Sequence, residues 1–232
     1  MRSSERTHIG FLIFPGMLQL DFTGAYGVLA AAGQRAEIHL VWKNEETIVS
    51  SDNLPFIPTA TFATCPPLDV ILVPGGGGIL PLLDDDAVLD FLRVQAETAG
   101  YVGSVCTGAL VLGAAGLLRG YEATTHWQSH EMLTLLGAKA VQRRVVLDRS
   151  RITAAGVTSG IDMALTLAGR LWDEKLAMAI QLNMEYAPEP PYAAGSPEQA
   201  AKEFVAEIRA NSAARQEARL AAVKKAAVKL TS

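Results

Sequence analysis

Cys106 lies in Val102-Gly103-Ser104-Val105-Cys106-Thr107-Gly108-Ala109-Leu110, a short apolar strand pattern that runs directly into a helix pattern. Ser104 and Gly108, two residues to either side, are small, as a tight strand-to-helix elbow requires. Such a bend projects the sulfur alone. The N–H groups and positive dipole end of the helix that follows, Thr107 to about Leu118, favour thiolate over thiol, so a lowered pKa and a nucleophilic role are expected. The competing reading is a packed, inert cysteine.

Three further groups could act with that sulfur. Asp21, in Leu18-Gln19-Leu20-Asp21-Phe22-Thr23-Gly24, is a carboxylate among apolar residues just after the first strand pattern. It is either the N-cap of the next helix or, if the sheet brings the two strand ends together, an acid/base coupled to Cys106. Pro74-Gly75-Gly76-Gly77-Gly78 follows an apolar strand and reads as a plain tight turn or as an oxyanion nest beside Cys106. It has neither the spacing of a dinucleotide fingerprint nor a following Gly-Lys-Ser/Thr. His126, before Trp127, either lines the pocket or pairs with the thiol, or is structural. Asp162 reads as a first-turn carboxylate. His8, His39, His130 and Cys65 are assigned no role.

Positioning these groups requires a sheet with helices on both faces, and the chain has that pattern. Strands are expected over Ile9–Phe14, Ala36–Trp42, Val70–Val73 and the Cys106 elbow, and helices over Asp21–Ala32 and Asp86–Thr98. A small hairpin is expected near Glu46–Ile57 and a late one over Val141–Leu147 and Arg151–Ala154, followed by helices Thr158–Leu171 and Asp173–Glu185. The class is α/β: a mostly parallel central sheet flanked by helices, with a C-terminal helical tail. Residues 1–195 are expected to form the α/β domain and residues 196–232 the tail. Ser196-Pro197-Glu198-Gln199 reads as a capping box opening one long helix. Its basic residues, Arg215, Arg219, Lys224, Lys225 and Lys229, read mostly as cations completing the helix C-terminal end, with a partner-docking surface as the alternative.

A net charge of -4 and a pI near 5.6 provide no positive field for nucleic acid or anionic lipid. Two cysteines in unlike contexts form neither a disulfide framework nor a spaced metal-ligand set, which fits a reducing cytoplasm. The first apolar run is too short for a signal or a membrane span.

Leu72-Val73-Pro74-Gly75-Gly76-Gly77, Ser104-Val105-Cys106-Thr107-Gly108 and Ala123-Thr124-Thr125-His126-Trp127, in this order, resemble the ThiJ/PfpI superfamily, whose sheet is flavodoxin-like. Gln19-Leu20-Asp21-Phe22-Thr23-Gly24 and Tyr186-Ala187-Pro188-Glu189-Pro190-Pro191-Tyr192 are similar to its isocyanide-hydrating branch in particular. Many members carry a glutamate where Asp21 stands and a histidine where Thr107 stands. The departure puts peptide or glutamine hydrolysis in doubt.

The resemblance implies a lyase that adds water to an isocyanide, giving an N-substituted formamide through a cysteine-bound thioimidate, with Cys106, Asp21 and Thr107 catalytic. Gly76 and Gly77 would bind developing charge, while Ile79, His126, Trp127 and Val157 would be near the substrate. It implies a homodimer and no metal or organic cofactor. Rivals are a ligand-sensing or redox-sensing domain related to the front half of AraC-type regulators, and a glyoxalase or deglycase.

Overall fold

Val70-Ile71-Leu72-Val73 is apolar at every position because its strand is covered on both faces, near the middle of a seven-stranded sheet. The computed structural model describes residues 6–230. Its elements begin β1 (Thr7–Leu12), α1 (Gln19–Ala30), β2 (Ala36–Trp42), β3 (Ile48–Val49), β4 (Pro55–Phe56), β5 (Ala60–Thr61), β6 (Val70–Val73), α2 (Ile79–Leu82) and α3 (Asp86–Thr98). They continue β7 (Tyr101–Val105), α4 (Gly108–Ala114), β8 (Glu122–Ala123), α5 (Met132–Leu135), β9 (Lys139–Ala140), β10 (Val145–Asp148) and β11 (Arg151–Ala154). The last four are α6 (Ser159–Leu171), α7 (Glu174–Asn183), α8 (Lys202–Asn211) and α9 (Ala213–Lys229).

The sheet order is β10-β11-β7-β6-β1-β2-β5, parallel throughout except for the β10–β11 hairpin. This is the expected mostly parallel α/β sheet. β3 and β4 form the small excursion hairpin outside it. Helices α1, α6 and α7 pack together in one layer, and α3, α4, α5 and α9 in another. Because β1, β6, β7 and β11 are parallel neighbours, the loops at their carboxyl ends open on the same edge. That edge is where α/β sheets place ligand crevices.

Four expectations change. The helix after Cys106 is shorter than predicted: Gly116 adopts φ +79° and the Leu117 amide donates to the Leu112 carbonyl at 3.0 Å, a left-handed helix stop. Ser196 does not open a helix. The Gln199 and Ala200 amides return to its carbonyl, then Ala201 turns extended (φ -57°, ψ 137°), and α8 starts after it without a side-chain cap. The tail is two helices, because the Ser212 hydroxyl donates back to the Ile208 carbonyl at 2.9 Å and breaks the run. Its lysines also do more than complete a helix end: Lys225 and Lys229 pair with Asp84, fastening α9 to the turn before α3.

Candidate active site

Cys106 has φ +57°, a left-handed backbone that a bulky residue rarely adopts and that here makes the sharp turn between β7 and α4. The turn is held by its own backbone. The Cys106 amide donates to the Ala154 carbonyl at 3.0 Å, and the Thr125 hydroxyl donates to the Cys106 carbonyl at 2.7 Å. Gly108 must lack a side chain because a Cβ there would run into the Val73 carbonyl. The expected elbow is therefore present, and the sulfur is buried rather than displayed, with the residue 6% exposed.

Asp21 is the third residue of α1 and is 1% exposed. Leu18 occupies the cap position with no side-chain cap bond, so the N-cap reading of Asp21 is wrong. Its Oδ2 accepts the Gly75 amide at 2.8 Å, while Oδ1 is buried without a formed hydrogen bond. The carboxyl faces the Cys106 sulfur closely enough for each to influence the other's proton. Burial raises the Asp21 pKa to about 7 against the opposing pull of the Gly75 amide and the cysteine.

The same burial overturns the expected low-pKa thiol. Burial and then the charge on Asp21 push the Cys106 thiol up, outweighing the Thr107 amide, the Arg219 charge and the Thr107 hydroxyl, which favour thiolate. A seven-residue helix aimed at a desolvated sulfur cannot cancel the cost of burying its charge. Above about pH 7 the pair holds one proton between sulfur and carboxyl, and below it two.

The glycine loop serves this pair, though not as the expected nest. Gly75 gives its amide to Asp21, and Gly76, at φ +123°, gives its amide to the Thr107 hydroxyl at 3.1 Å. Both donors are spent on positioning side chains. A Cβ on Gly75 would lie 2.6 Å from the Thr107 amide nitrogen and 2.8 Å from Asp21 Oδ2, so only glycine fits. Gly77 is exposed, and Ile79 is fully buried in the hydrophobic core. Val157 is half-buried in the turn before α6, next to Gly156, where a Cβ would sit 4.0 Å from the His126 ring.

His126 is half-buried, and its Nδ1 accepts the Gln128 amide at 3.4 Å. Burial first, then Arg219 and Arg215, lower its pKa to about 4, so the ring is neutral at pH 7. The charged groups acting on the sulfur are Asp21 and Arg219, and among the described residues no histidine pairs with it. Trp127 is half-buried with the Arg209 guanidinium 5.5 Å from its ring centre.

Arg219 is the site residue that the sequence reading misplaced. It is 5% exposed; Nη1 donates to the Ser129 hydroxyl at 2.9 Å and to Gln216 Oε1 at 3.2 Å, and its buried Nε has no acceptor among the described residues. The signal was its spacing: Ser212, Arg219, Val223 and Ala226 share one buried stripe of the tail. Among the described residues no carboxylate pairs with this charge, and its field acts on Cys106 and His126. In Arg219→Met, alkylation of Cys106 by iodoacetamide should slow severalfold and need higher pH, without loss of thermal stability. Unchanged alkylation kinetics would remove Arg219 from the site.

Comparison with known proteins places this geometry. Residues 7–170 match the model of the DJ-1/PfpI family. The isonitrile hydratase of Pseudomonas putida is 51% identical over 222 residues, covering 96% of this chain and 97% of that protein. The HTH-type transcriptional regulator GbdR of Pseudomonas aeruginosa is 32% identical over 179 residues, 74% of this chain but 48% of the regulator. Among solved structures, a ThiJ/PfpI family protein from Pseudomonas syringae superposes with a TM-score of 0.91 at 38% identity, over 96% of this chain and 91% of that one. Drosophila melanogaster DJ-1beta shares the fold, with a TM-score of 0.71 at 23% identity over 78% and 98% of the two chains. An elbow cysteine at positive φ, a buried acid from the first βα connection and a glycine loop tying them together, within a sequence matched from the first strand to the end of α6, make this chain a member of the DJ-1/PfpI family.

Proposed function

We propose that the protein hydrates isocyanides to N-substituted formamides, with Cys106 as nucleophile and Asp21 as the acid and then the base. The observation that carries this reading is the buried Asp21 carboxyl, with a pKa of about 7, set against the sulfur at the elbow. A carboxyl poised at working pH can both give and take a proton. The high identity to a hydratase of this chemistry over nearly the whole length of both proteins supports the same reading.

An isocyanide carbon carries a lone pair and an acceptor orbital. It takes the proton from Asp21 as the Cys106 sulfur bonds to it, giving a thioimidate with a new C–H and a new C–S bond. Asp21 is now a carboxylate beside the same carbon. It draws a proton from attacking water and passes it to nitrogen. The hydroxyl proton of the tetrahedral adduct then returns to Asp21 as the C–S bond breaks, releasing the formamide and restoring the starting pair. Thr107, held by Gly76, would fix the sulfur through its amide and hydroxyl. The nitrogen substituent would lie toward Trp127, His126 and Val157. Ile79 acts only through the core.

The free thiols Cys65 and Cys106 suit a reducing cytoplasm. No described helix is long and apolar enough to cross a membrane. The working form would be a homodimer, for which exposed Leu20 and Tyr26 on α1 and Met178 and Leu182 on α7, helices that both flank α6, offer an apolar surface.

Incubation with an aryl isocyanide should yield the formamide, with a thioimidate on Cys106 trapped by acid quench and seen by mass spectrometry. No formamide from a protein whose thiol still reacts with iodoacetamide would refute the assignment. Consumption of methylglyoxal alone would move it to a glyoxalase.

A further inference from the structure

We propose that His8, Glu37 and His39 form a binding site for a zinc-type divalent cation at the end of the sheet opposite Cys106. The three come from two adjacent parallel strands: His8 pairs with Glu37 in register, Gly10 with His39, and Glu37 and His39, two apart, point to the same face. One ligand atom from each lies within 4.8 Å of the other two. His8 Nδ1 and His39 Nε2 are 3.0 Å apart, with the rings nearly parallel at 15°.

Two nitrogens bound to zinc at ~2.0–2.1 Å stand about 3–3.5 Å apart in tetrahedral or octahedral arrangements. The ring nitrogens therefore already have the separation of two ligands on one ion; the rings must turn their lone pairs onto it, and the Glu37 side chain must close in. Without an ion the pair shares one ring hydrogen. On binding, the ring that carries it changes tautomer, so that both nitrogens offer lone pairs.

The backbone under the site is held by the continuous β1–β2 ladder, and Leu68 fills the space over Gly10. A depression of about 610 Å³, lined by His8, Glu37, His39, Thr59 and Thr64, gives solvent access for a water in the remaining coordination position. Arg6, 3.6 Å from Glu37, forms an exposed pair that the ion displaces at little cost. Two imidazoles and one carboxylate select Zn²⁺, Co²⁺ or Ni²⁺ over Mg²⁺ and Ca²⁺. The bound ion would clasp β1 to β2 and take no part in the chemistry at Cys106.

The test is Zn²⁺ titration by calorimetry and by equilibrium dialysis with metal analysis, on the untagged full-length protein and on Cys106→Ser, which removes the competing thiol. The expected result is stoichiometric uptake in both, a higher melting temperature with Zn²⁺, no effect of Mg²⁺, and affinity weakened roughly tenfold or more in His39→Gln and His8→Gln. Glu37→Gln, at a partly exposed position, serves if a histidine variant does not fold. Absence of stoichiometric uptake, uptake unchanged by these substitutions, or uptake lost with Cys106→Ser would overturn the proposal.

Discussion

Asp21→Asn should give a folded protein whose kcat/KM for an isocyanide falls about 10²–10⁴-fold, the range for loss of a positioned acid/base. The amide oxygen can still accept the Gly75 N–H, so the loop keeps its position and only proton transfer is lost. In the wild type, kcat/KM should rise with pH through about 7 and then level, because the reacting sulfur and carboxyl together hold one proton and the pair that holds two is inactive; the residual activity of the variant should lack that limb.

Stability should move the other way. The folded pKa of Asp21 lies above the ordinary aspartate value of 3.8, so the unfolded state binds fewer protons between about pH 4 and pH 7. The wild type loses stability across that window and bears the full cost of the buried charge above it, up to about 4 kcal/mol. Asp21→Asn escapes that cost. Its melting temperature should match the wild type near pH 4 and exceed it at pH 8, a difference read by calorimetry at the two pH values. Equal curves at both, with turnover unchanged, would show that Asp21 is neither strained nor catalytic.

The sequence made the scaffold readable where one local rule governs. Ala36–Trp42, Val70–Val73 and Asp86–Thr98 have the expected bounds, because unbroken apolar runs and a 3.6-residue period are set by burial on one or two faces. The elbow was readable too, since the small residues around Cys106 reflect sterics within a few positions of it. What local rules could not show was the balance of long-range terms. The helix dipole argued for a thiolate, but the depth at which Cys106 lies depends on strands and loops far away in the chain, and that burial wins. The glycines of the Pro74–Gly78 turn were recognised as permitting close approach, yet which groups approach, Asp21 and Thr107 rather than a substrate oxyanion, follows from the β1, β6 and β7 neighbourhood. Arg219 was hidden for a related reason. Its place on a buried stripe matters only because α9 folds back beside the segment that carries Ser129. His8 and His39 were seen singly, and only strand pairing brings them together.

Cys106→Ala should abolish turnover, with a loss on the order of 10⁶-fold when the nucleophile of a covalent route is removed. The loss should exceed that in Asp21→Asn, because an intact sulfur without its acid can still attack slowly, whereas an intact acid without sulfur has no carbon adduct to hydrate. Cys106→Ser separates chemistry from shape. The hydroxyl fits the same buried elbow and can donate to Asp21, but in a site that already pushes a thiol pKa upward an alkoxide is less accessible still, so serine should be nearly as inactive as alanine. The carboxyl itself should report the change. In Cys106→Ala the thiol beside Asp21 is gone, and since that thiol draws the Asp21 pKa down, the pKa should rise further above about 7, measurable by carbonyl infrared titration. Formamide production by Cys106→Ala at a rate near that of the wild type would mean that Asp21 alone delivers water to the isocyanide, and the covalent route would have to be abandoned.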